Sequence, residues 1–308
     1  MINIIGKRYF FFLLSLVIII PGMIILIVNG LPLAIDFTGG SLIEVRFESG
    51  QLPQPAQVIA VYDSLDIADA SVQTTGQGTV VVRSSFLDET GRARVIAALE
   101  EQFADTVVVL RFDSVGPTIG QEVASRAALA VLAAAVVIII YITFAFRGIQ
   151  NAFRYGICAI IAMFHDVLIV ISLTAIGSVL VGWEMDALFL TALLTVIGFS
   201  VQDKIVVFDR IRENSGIYRR LNFETLVNHS IIQTLQRSIN TQLMTVEFML
   251  LALALFGGVT LREFALIMLV GLLSGTYSSI FIAAPSLVVW ENHEWRNWFR
   301  RGEARASA

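Results

Sequence analysis

The chain has 308 residues, of which 56% are hydrophobic and 15% are charged, and its mean hydropathy is +0.77. An ordinary soluble domain carries about 25% charged residues, so this composition excludes a single water-soluble globule, and it also excludes a disordered or collagen-like chain. The net charge of -4, from 21 basic and 25 acidic residues, is too small to indicate a nucleic-acid partner, and the single cysteine excludes an internal disulfide framework.

Six charge-poor stretches are long enough to cross a bilayer as a helix, which takes about 20 residues. They lie at Tyr9–Val28, Ala127–Phe146, Tyr155–Trp183, Ala187–Phe208, Ser238–Leu261 and Phe264–Trp290. The sequence therefore predicts an α-helical membrane protein with a six-span helix bundle and both termini on one side. The first stretch is longer than the core of a signal peptide and no small-x-small cleavage site follows it, so we expect a retained anchor.

Basic residues cluster in alternate connections, and this sets the predicted orientation because lysine and arginine near a span resist translocation. The basic segments are the N-terminus, the second-to-third connection, the loop at about residues 209–237 and the tail at 291–308. We expect these segments, and both termini, to be cytoplasmic. Residues 1–28 then comprise the cytoplasmic N-terminus and the first span, and spans two to six occupy residues 127–290.

Residues 29–126 have the composition of a soluble domain, which the orientation places on the extracytoplasmic side. Apolar side chains alternate in three segments, and this pattern is typical of half-buried strands. The strands predicted from this pattern are Ser41–Phe47, Thr79–Arg83 and Val107–Phe112, and a weaker strand is predicted near Ala70–Gln73. The predicted helices are Pro55–Leu65 and Glu89–Phe103. Their order is βαββαβ, which indicates an α+β ferredoxin-like domain between spans 1 and 2.

Ionisable groups interrupt the apolar spans, and each costs about 2.5–3.5 kcal/mol inside a membrane on insertion scales. Asp203 shares a helical face with small and apolar residues, so we expect it to point into the bundle; the alternative is a solvated carboxylate near the inner interface. Lys204 lies about 100° away and could snorkel to the cytoplasm. Arg237 lies on the packed side of its predicted helix and is the nearest candidate partner for Asp203, or else it is a cytoplasmic anchor.

His165 and Asp166 are adjacent in the middle of the third span. An imidazole and a carboxylate at that depth could relay protons, or they could bond to a backbone carbonyl and a hydroxyl. Glu247 in the fifth span is either a further titratable site or a silent protonated one. The remaining histidines are scattered and neither HExxH nor GxSxG spacing occurs, so we expect no metal site, no catalytic site and no bound cofactor.

Gly271 and Gly275 in the last span form a GxxxG motif, a common pattern of low specificity that lets helix backbones approach closely. We expect these glycines to serve helix packing.

Several further motifs follow one another in a fixed order along the chain. They are Asp36-Phe37-Thr38-Gly39-Gly40, Val115-Gly-Pro117, His165-Asp166-Val167, the segment from Gly198 to Asn214 around Asp203, Arg237-Ser-Ile-Asn-Thr241 and Phe256-Gly-Gly258. With these motifs nearly the whole chain resembles the SecF subunits of the bacterial Sec protein-export machinery, in the SecD/SecF family and the resistance-nodulation-division superfamily.

The resemblance implies a subunit of the bacterial inner membrane that acts with SecD. Together they would use the proton-motive force to promote and complete the export, through SecYEG, of preproteins driven by SecA. The resemblance further implies YajC and YidC as candidate partners, protons as the coupling ion, and no enzymatic reaction.

The resemblance also implies roles for particular residues. Asp203 matches the family's membrane aspartate of the proton pathway and Arg237 its coupled arginine, while Asp36 to Gly40 match the motif that joins the first span to the outer domain. This chain departs from the family at Gln202 and Lys204, where Asn and Ser or Thr are usual. Because an adjacent ammonium favours the ionised carboxylate, we expect proton uptake here to differ in detail.

Two other classes of function remain open. Half of a proton-driven exporter of small molecules would share the bundle and the membrane carboxylate, but should carry larger outer domains and a sizeable apolar pocket. A scaffold subunit that transports nothing would tolerate the loss of Asp203 and Arg237 together. Since exporters of this superfamily have two six-span halves and one is present here, a partner is expected to supply the second.

Overall fold

The computed structural model describes residues 3–74, 78–145, 152–242, 248–257 and 259–294. The chain divides into two compact units. The sheet unit comprises Pro32–Ala130 and Glu184–Ala187, and the helical unit comprises Met1–Leu31, Val131–Trp183 and Leu188–Ala308.

The sheet unit contains one four-stranded antiparallel sheet, in which the neighbouring strands are, in order, β2 (Ser71–Thr74), β3 (Val80–Ser84), β1 (Gly40–Phe47) and β4 (Val107–Val115). A short helix, α2, precedes the sheet, and two longer helices connect its strands. In chain order the elements are α2 (Ile35–Thr38), β1 (Gly40–Phe47), α3 (Pro55–Ser64), β2 (Ser71–Thr74), β3 (Val80–Ser84), α4 (Glu89–Phe103) and β4 (Val107–Val115). From β1 to β4 this is the βαββαβ order that the alternation of apolar residues predicted.

The core of the sheet unit forms where alternate strand residues meet one face of each helix. Ile43, Val45 and Phe47 of β1 are buried together with Val95 and Leu99 of α4. Local sequence also sets the helix starts. Asp88 accepts a hydrogen bond from the backbone N–H of Gly91 at 2.7 Å and so caps α4, while α3 begins with a proline inside a capping box.

The helical unit contains most of the long apolar helices. Besides α2, α3 and α4, the α-helices of the described residues are α1 (Arg8–Asn29), α5 (Pro117–Ala145), α6 (Ala152–Val181), α7 (Ala187–Ile217), α8 (Phe223–Gln242), α9 (Phe248–Phe256), α10 (Val259–Ser278) and α11 (Ala284–Glu291). A π-helical turn, Ser279–Ala283, joins α10 to α11. The first fourteen residues of α5 belong to the sheet unit, because the division falls between Ala130 and Val131.

Five of the described segments are long and apolar enough to cross a membrane. They are Ile5–Asn29, Pro117–Ala145, Phe153–Val181, Ala187–Ile217 and Leu261–Glu291. The fifth predicted span, Ser238–Leu261, overlaps the end of α8, α9 and the start of α10, and residues 243–247 and 258 within it lie outside the described residues. The fifth span, and with it the count of six, therefore stays a prediction.

The connection predicted at about residues 209–237 is mostly helical. Helix α7 continues to Ile217 and α8 begins at Phe223, so only a short turn separates them. Hydropathy marks where an apolar segment ends but not where a helix ends, because a polar helix can continue beyond it. Here Arg210–Glu213 and Arg212–Asp209 ion pairs, three residues apart, line the polar continuation of α7.

Candidate functional site

Asp166, on α6, is the centre of a buried polar cluster in the helical unit. Its side chain is 1% exposed, and its carboxylate accepts hydrogen bonds from three serine hydroxyls on other helices. Ser200 of α7 and Ser278 of α10 donate to Oδ2 at 2.5 Å and 2.6 Å, and Ser274 of α10 donates to Oδ1 at 2.7 Å. Because carboxylate oxygens accept several hydrogen bonds each, this arrangement stabilises an ionised carboxylate away from water.

Lys204, on α7, supplies the positive charge of the cluster. Its side chain is fully buried, and Nζ lies 2.8 Å from Asp166 Oδ2. The ammonium also donates to the backbone carbonyl of Ser200 at 3.1 Å and to the Ser200 hydroxyl. The expectation that Lys204 snorkels to the cytoplasm is therefore wrong. A buried carboxylate and two oxygens of Ser200 replace the water that a solvated ammonium would bind.

His165 extends the cluster on the other side of the carboxylate. Its Nδ1 lies 3.0 Å from Asp166 Oδ1, and its ring stacks on that of Tyr277. The side chain is 9% exposed, and its Nε2 is a buried nitrogen with no hydrogen-bond partner in the described part of the chain. The structure thus joins His165, Asp166 and Lys204 in one line of polar contacts.

Asp203 is buried, as expected, but its hydrogen-bond partners are neutral. Its Oδ2 accepts hydrogen bonds from the Gln242 side-chain amide at 3.2 Å and from the Thr276 hydroxyl at 3.3 Å. Both distances are at or beyond the long end of the usual range, so the carboxylate is held weakly. Asp203 therefore points into the helical unit between α8 and α10.

Arg237 does not pair with Asp203 in the structure. It is exposed on α8, whereas Gln242 of the same helix faces the carboxylate. Five helical residues correspond to a rotation of about 140°, so the two side chains leave α8 in different directions. The expected burial of Arg237 is wrong for this chain. Arg237 instead lines a cavity of about 400 Å³ between α7 and α8, together with Asp209, Arg210 and Glu213.

Gly271 and Gly275 let α10 approach α7 closely enough to form the cluster. A Cβ atom at Gly271 would overlap the Val196 side chain, and one at Gly275 would lie 3.3 Å from Ser200 Cα. The same turn of α10 carries Ser274, which contacts Asp166. These glycines therefore set the helix spacing at which the serine hydroxyls reach the carboxylate.

The serines of the cluster, Ser200, Ser274 and Ser278, are not among the site residues predicted from the sequence. A signal was present, because Ser200 and Lys204 are four residues apart on one span, and Ser274 and Ser278 are four residues apart on another. Residues with this spacing lie on one face of a helix. Two such polar faces in apolar spans indicate an intramembrane partner, and Asp166 is that partner.

The motif from Asp36 to Gly40 lies in the sheet unit. Oδ2 of Asp36 accepts a hydrogen bond at 2.9 Å from the backbone N–H of Ala187, the first residue of α7. Phe37 is buried, and the Thr38 hydroxyl donates to the Ala34 carbonyl at 3.2 Å. The motif thus fastens the segment Glu184–Ala187 to the start of β1.

The two glycines of this motif meet special backbone requirements. Gly39 has a φ of +75°, and a Cβ atom there would lie 2.7 Å from the Cα of Pro117. Gly40 has a φ of +124°, and a Cβ atom there would lie 2.7 Å from the Ser84 carbonyl oxygen. The backbones at Gly39 and Pro117 are therefore close together. Position 39 favours glycine, which has no Cβ atom and readily adopts a positive φ, whereas the ring of Pro117 fixes its own φ.

The segment around Glu184 is bound to the rest of the sheet unit by backbone hydrogen bonds and by an ion pair. The Met185 N–H donates to the Pro32 carbonyl at 2.7 Å, and the Ala34 N–H donates to the Met185 carbonyl at 3.0 Å. Beside them Glu184 forms an ion pair of 2.9 Å with Arg83 of β3. Burial raises the pKa of Glu184 to about 7, against the opposing effect of Arg83.

Glu247, the predicted ionisable position in the fifth span, lies outside the residues that the structure describes. Within the described ranges, no three His, Cys, Asp or Glu side chains come together in a way that could hold a metal ion.

Comparison with protein families gives two matches. The C-terminal family model of the protein export membrane proteins SecD/SecF matches residues 95–293, and the SecD/SecF GG motif matches residues 24–51. The chain is 71% identical over 308 residues to the protein translocase subunit SecF of Anaerolinea thermophila, with 100% of both chains covered. It is 48% identical over 323 residues to the SecF subunit of Thermobaculum terrenum, again with 100% of both covered.

Solved structures of SecDF are similar to this one. The crystal structure of SecDF, a translocon-associated membrane protein from Thermus thermophilus, has a TM-score of 0.80 and 33% identity, covering 94% of this chain and 39% of that chain. SecDF in its super-membrane-facing form has a TM-score of 0.67 and 31% identity, covering 100% of this chain and 40% of that one. The chain thus spans about two fifths of the SecDF chains it matches.

Proposed function

The chain belongs to the SecF subunits of the SecD/SecF protein-export family, and on that premise we propose that it couples the proton-motive force to protein export. In this proposal it acts with a SecD subunit in the bacterial inner membrane to promote and complete the passage of SecA-driven preproteins through SecYEG. Protons are the coupling ion, and the subunit needs no bound cofactor. YajC and YidC are further candidate partners.

The observation that carries the proposal is the environment of Asp203. The carboxylate is 6% exposed in a helix that is apolar enough to cross a membrane, and its hydrogen bonds come from a neutral amide and a neutral hydroxyl. A carboxylate held in this way can take up a proton without breaking an ion pair. Because Gln242 and Thr276 belong to α8 and α10, a change of charge at Asp203 acts on the packing of three helices.

The size of the driving force limits the mechanism. One proton that moves through a potential of about 100 mV releases roughly 2.3 kcal/mol. Driving a two-state element from 1:99 to 99:1 takes about 5.5 kcal/mol. The helical unit must therefore have a nearly balanced equilibrium between two states, or the cycle must use more than one proton.

The architecture we propose for this function has six spans with both termini in the cytoplasm. The basic connections support this orientation, since lysine and arginine near a span resist translocation. The strand order β2-β3-β1-β4, together with the βαββαβ chain order, supports a ferredoxin-like domain on the extracytoplasmic side. Residues 238–261 would form the fifth of the six spans.

A separate SecD subunit is the partner that the coverage of the solved structures supports. The chain accounts for about two fifths of each SecDF chain, so a second subunit would supply what corresponds to the remainder. The sheet unit, Pro32–Ala130 with Glu184–Ala187, is small compared with a long polypeptide. We therefore assign most contacts with the preprotein to the partner.

The test is the change Asp203→Asn in membrane vesicles that contain SecD, SecYEG and SecA. Asparagine keeps the size and polarity of the side chain but does not titrate, so we expect the increase in export on imposing a proton-motive force to disappear. Export driven by ATP alone should remain. Glu122→Gln is the matched control, because it makes the same chemical change at an exposed carboxylate paired with Arg126.

Two results would count against the proposal. If Asp203→Asn exports as well as the wild type under a proton-motive force, the subunit is a scaffold that transports nothing. If the subunit moves small molecules against a gradient when SecD is absent, it is half of a small-molecule exporter instead.

A further inference from the structure

The buried ion pair between Lys204 and Asp166 has no part in the mechanism described for Asp203. A structural ion pair needs one carboxylate and one ammonium, but this carboxylate has three serine hydroxyl donors as well. Asp166 would therefore remain well supplied with hydrogen bonds if the lysine lost its proton. The serines would keep the hydrogen bonds of the carboxylate while the lysine is neutral, although they would not replace its charge.

We propose that Lys204 is a second proton-carrying residue of this subunit, and that it exchanges its proton through Asp166 and His165. The inference deepens the proposed function and rests on it. The three side chains are in direct contact, with Nζ 2.8 Å from Asp166 Oδ2 and His165 Nδ1 3.0 Å from Asp166 Oδ1. A carboxylate that bridges an amine and an imidazole is a short proton wire.

The free end of this wire is Nε2 of His165. It is buried, and among the residues that the structure describes it has no hydrogen-bond partner, although a buried imidazole nitrogen normally has one. For uptake, a proton binds Nε2 and the Nδ1 proton passes to Asp166 Oδ1. Rotation of the carboxyl group then turns the protonated oxygen toward Lys204, and this oxygen passes the proton to the neutral amine at Nζ. Each transfer breaks one bond to hydrogen and forms one, so the number of protons is conserved. Release of the proton from Lys204 follows the same steps in reverse.

The charges around Lys204 couple it to Asp203. The titratable groups that face the cluster are Asp166 and His165 on α6, Tyr277 on α10 and Asp203 on its own helix, while Arg237 on α8 is exposed. When Asp203 takes up a proton, a negative charge next to the ammonium disappears and the ammonium becomes less stable. Uptake of a proton at Asp203 therefore favours release of a proton at Lys204. Two protons per cycle would come closer than one to the free energy needed to switch the helical unit between two states.

Three variants test the proposal in the same vesicles. Lys204→Arg keeps a cation beside Asp166 that does not release a proton. Asp166→Asn/Lys204→Met removes both charges without leaving one unpaired. His165→Gln leaves the ion pair intact and ends the relay. We expect each variant to reduce the increase in export under a proton-motive force by about tenfold or more, with ATP-driven export retained.

The ion pair between Arg154 and Glu291, which joins α6 to α11 in the helical unit, provides the control. Arg154→Gln/Glu291→Gln removes two charges in the same way and should export like the wild type. The level of each variant in the membrane shows whether it folds, and His165→Gln keeps the test informative if the arginine does not fit.

The outcomes separate this inference from the proposed function. If the wild type shows no stimulation by the proton-motive force, the proposed function fails. If the wild type is stimulated and Asp203→Asn is not, but His165→Gln and whichever Lys204 variants fold are stimulated like the wild type, Lys204 is a structural counter-ion and the inference is overturned.

Discussion

Nζ of Lys204 lies 2.8 Å from Oδ2 of Asp166, and the two side chains are 0% and 1% exposed. Removing one partner of a buried pair leaves the other charge without compensation, which costs about 3–5 kcal/mol. We expect Lys204→Met to lower the free energy of unfolding by that amount, and Asp166→Asn/Lys204→Met to lower it by clearly less. The measurement is unfolding of the purified subunit with its SecD partner in detergent.

The partly exposed pair of Arg154 and Glu291 is the comparison for this prediction. Arg154→Gln should lower the free energy of unfolding by no more than about 1 kcal/mol, since solvent screens a partly exposed pair. Equal losses for Arg154→Gln and Lys204→Met would contradict the assignment of Lys204 to the interior.

Gly271 and Gly198 allow helix packing to be separated from helix propensity. A methyl group at Gly271 would overlap Val196, whereas one at Gly198 would meet no atom within 4 Å. We expect Gly271→Ala to destabilise the subunit by about 1–3 kcal/mol because of overpacking. Gly198→Ala should stabilise it by up to about 1 kcal/mol, since alanine favours a helix interior. Thermal unfolding of both variants in detergent is the check, and a loss for Gly198→Ala equal to that for Gly271→Ala would exclude the steric explanation.

Gly39 and Gly50 share a left-handed backbone but differ in their surroundings. Their φ values are +75° and +72°, and only Gly39 has a neighbour, Pro117, that a Cβ atom would strike. Gly50→Ala should lower the free energy of unfolding by about 1–2 kcal/mol, because alanine is strained in the left-handed backbone conformation. Gly39→Ala should cost more, because Pro117 must also move. Hydrogen exchange of the β1 and β4 amides in the full-length protein measures the difference, and equal protection in the two variants would refute the contact.

Glu184 makes the stability of its segment depend on pH. Burial raises the pKa of its carboxyl group from 4.5 to about 7 in the folded protein. Between these values the folded protein keeps a proton that the unfolded chain has lost, so stability falls as the pH rises from about 4.5 to about 7 and changes little above that. Glu184→Gln should abolish this dependence.

Hydrogen exchange at the Met185 amide, which bonds to Pro32, reports on this segment. After correction for the intrinsic effect of pH on exchange, the wild type should be less protected at pH 8 than at about pH 5. Glu122→Gln, at an exposed carboxylate, should keep the wild-type dependence. A flat profile in the wild type would show that the Glu184 carboxyl group does not retain its proton.

Much of the fold follows from patterns that are local in the sequence. Alternation over Ser41–Phe47 predicts β1, and the structure buries Ile43, Val45 and Phe47 on one face as expected. Charge-poor stretches locate the five apolar helices that the structure describes as long enough to span. These features are predictable because solvation and backbone geometry act on each segment by itself.

The pairing of the charges is not predictable in the same way. The angle of Lys204 or Arg237 on a single helix indicates which face the side chain is on, but not which atoms lie opposite that face. Asp166 and Lys204 are 38 residues apart, and the register between α6 and α7 decides whether they meet. The same holds for Arg237, whose helix presents Gln242 rather than the guanidinium to Asp203.

The sequence by itself therefore determined which residues are apolar enough to cross a membrane, which segment forms the βαββαβ sheet, and which few charges interrupt the spans. Only the tertiary structure decided that Asp166, rather than Asp203, has the buried cation as its partner. The physical reason is that a charge removed from water needs compensating atoms within about 3 Å. The serines and the lysine that provide them come from helices distant in the chain, which meet where Gly271 and Gly275 allow close packing.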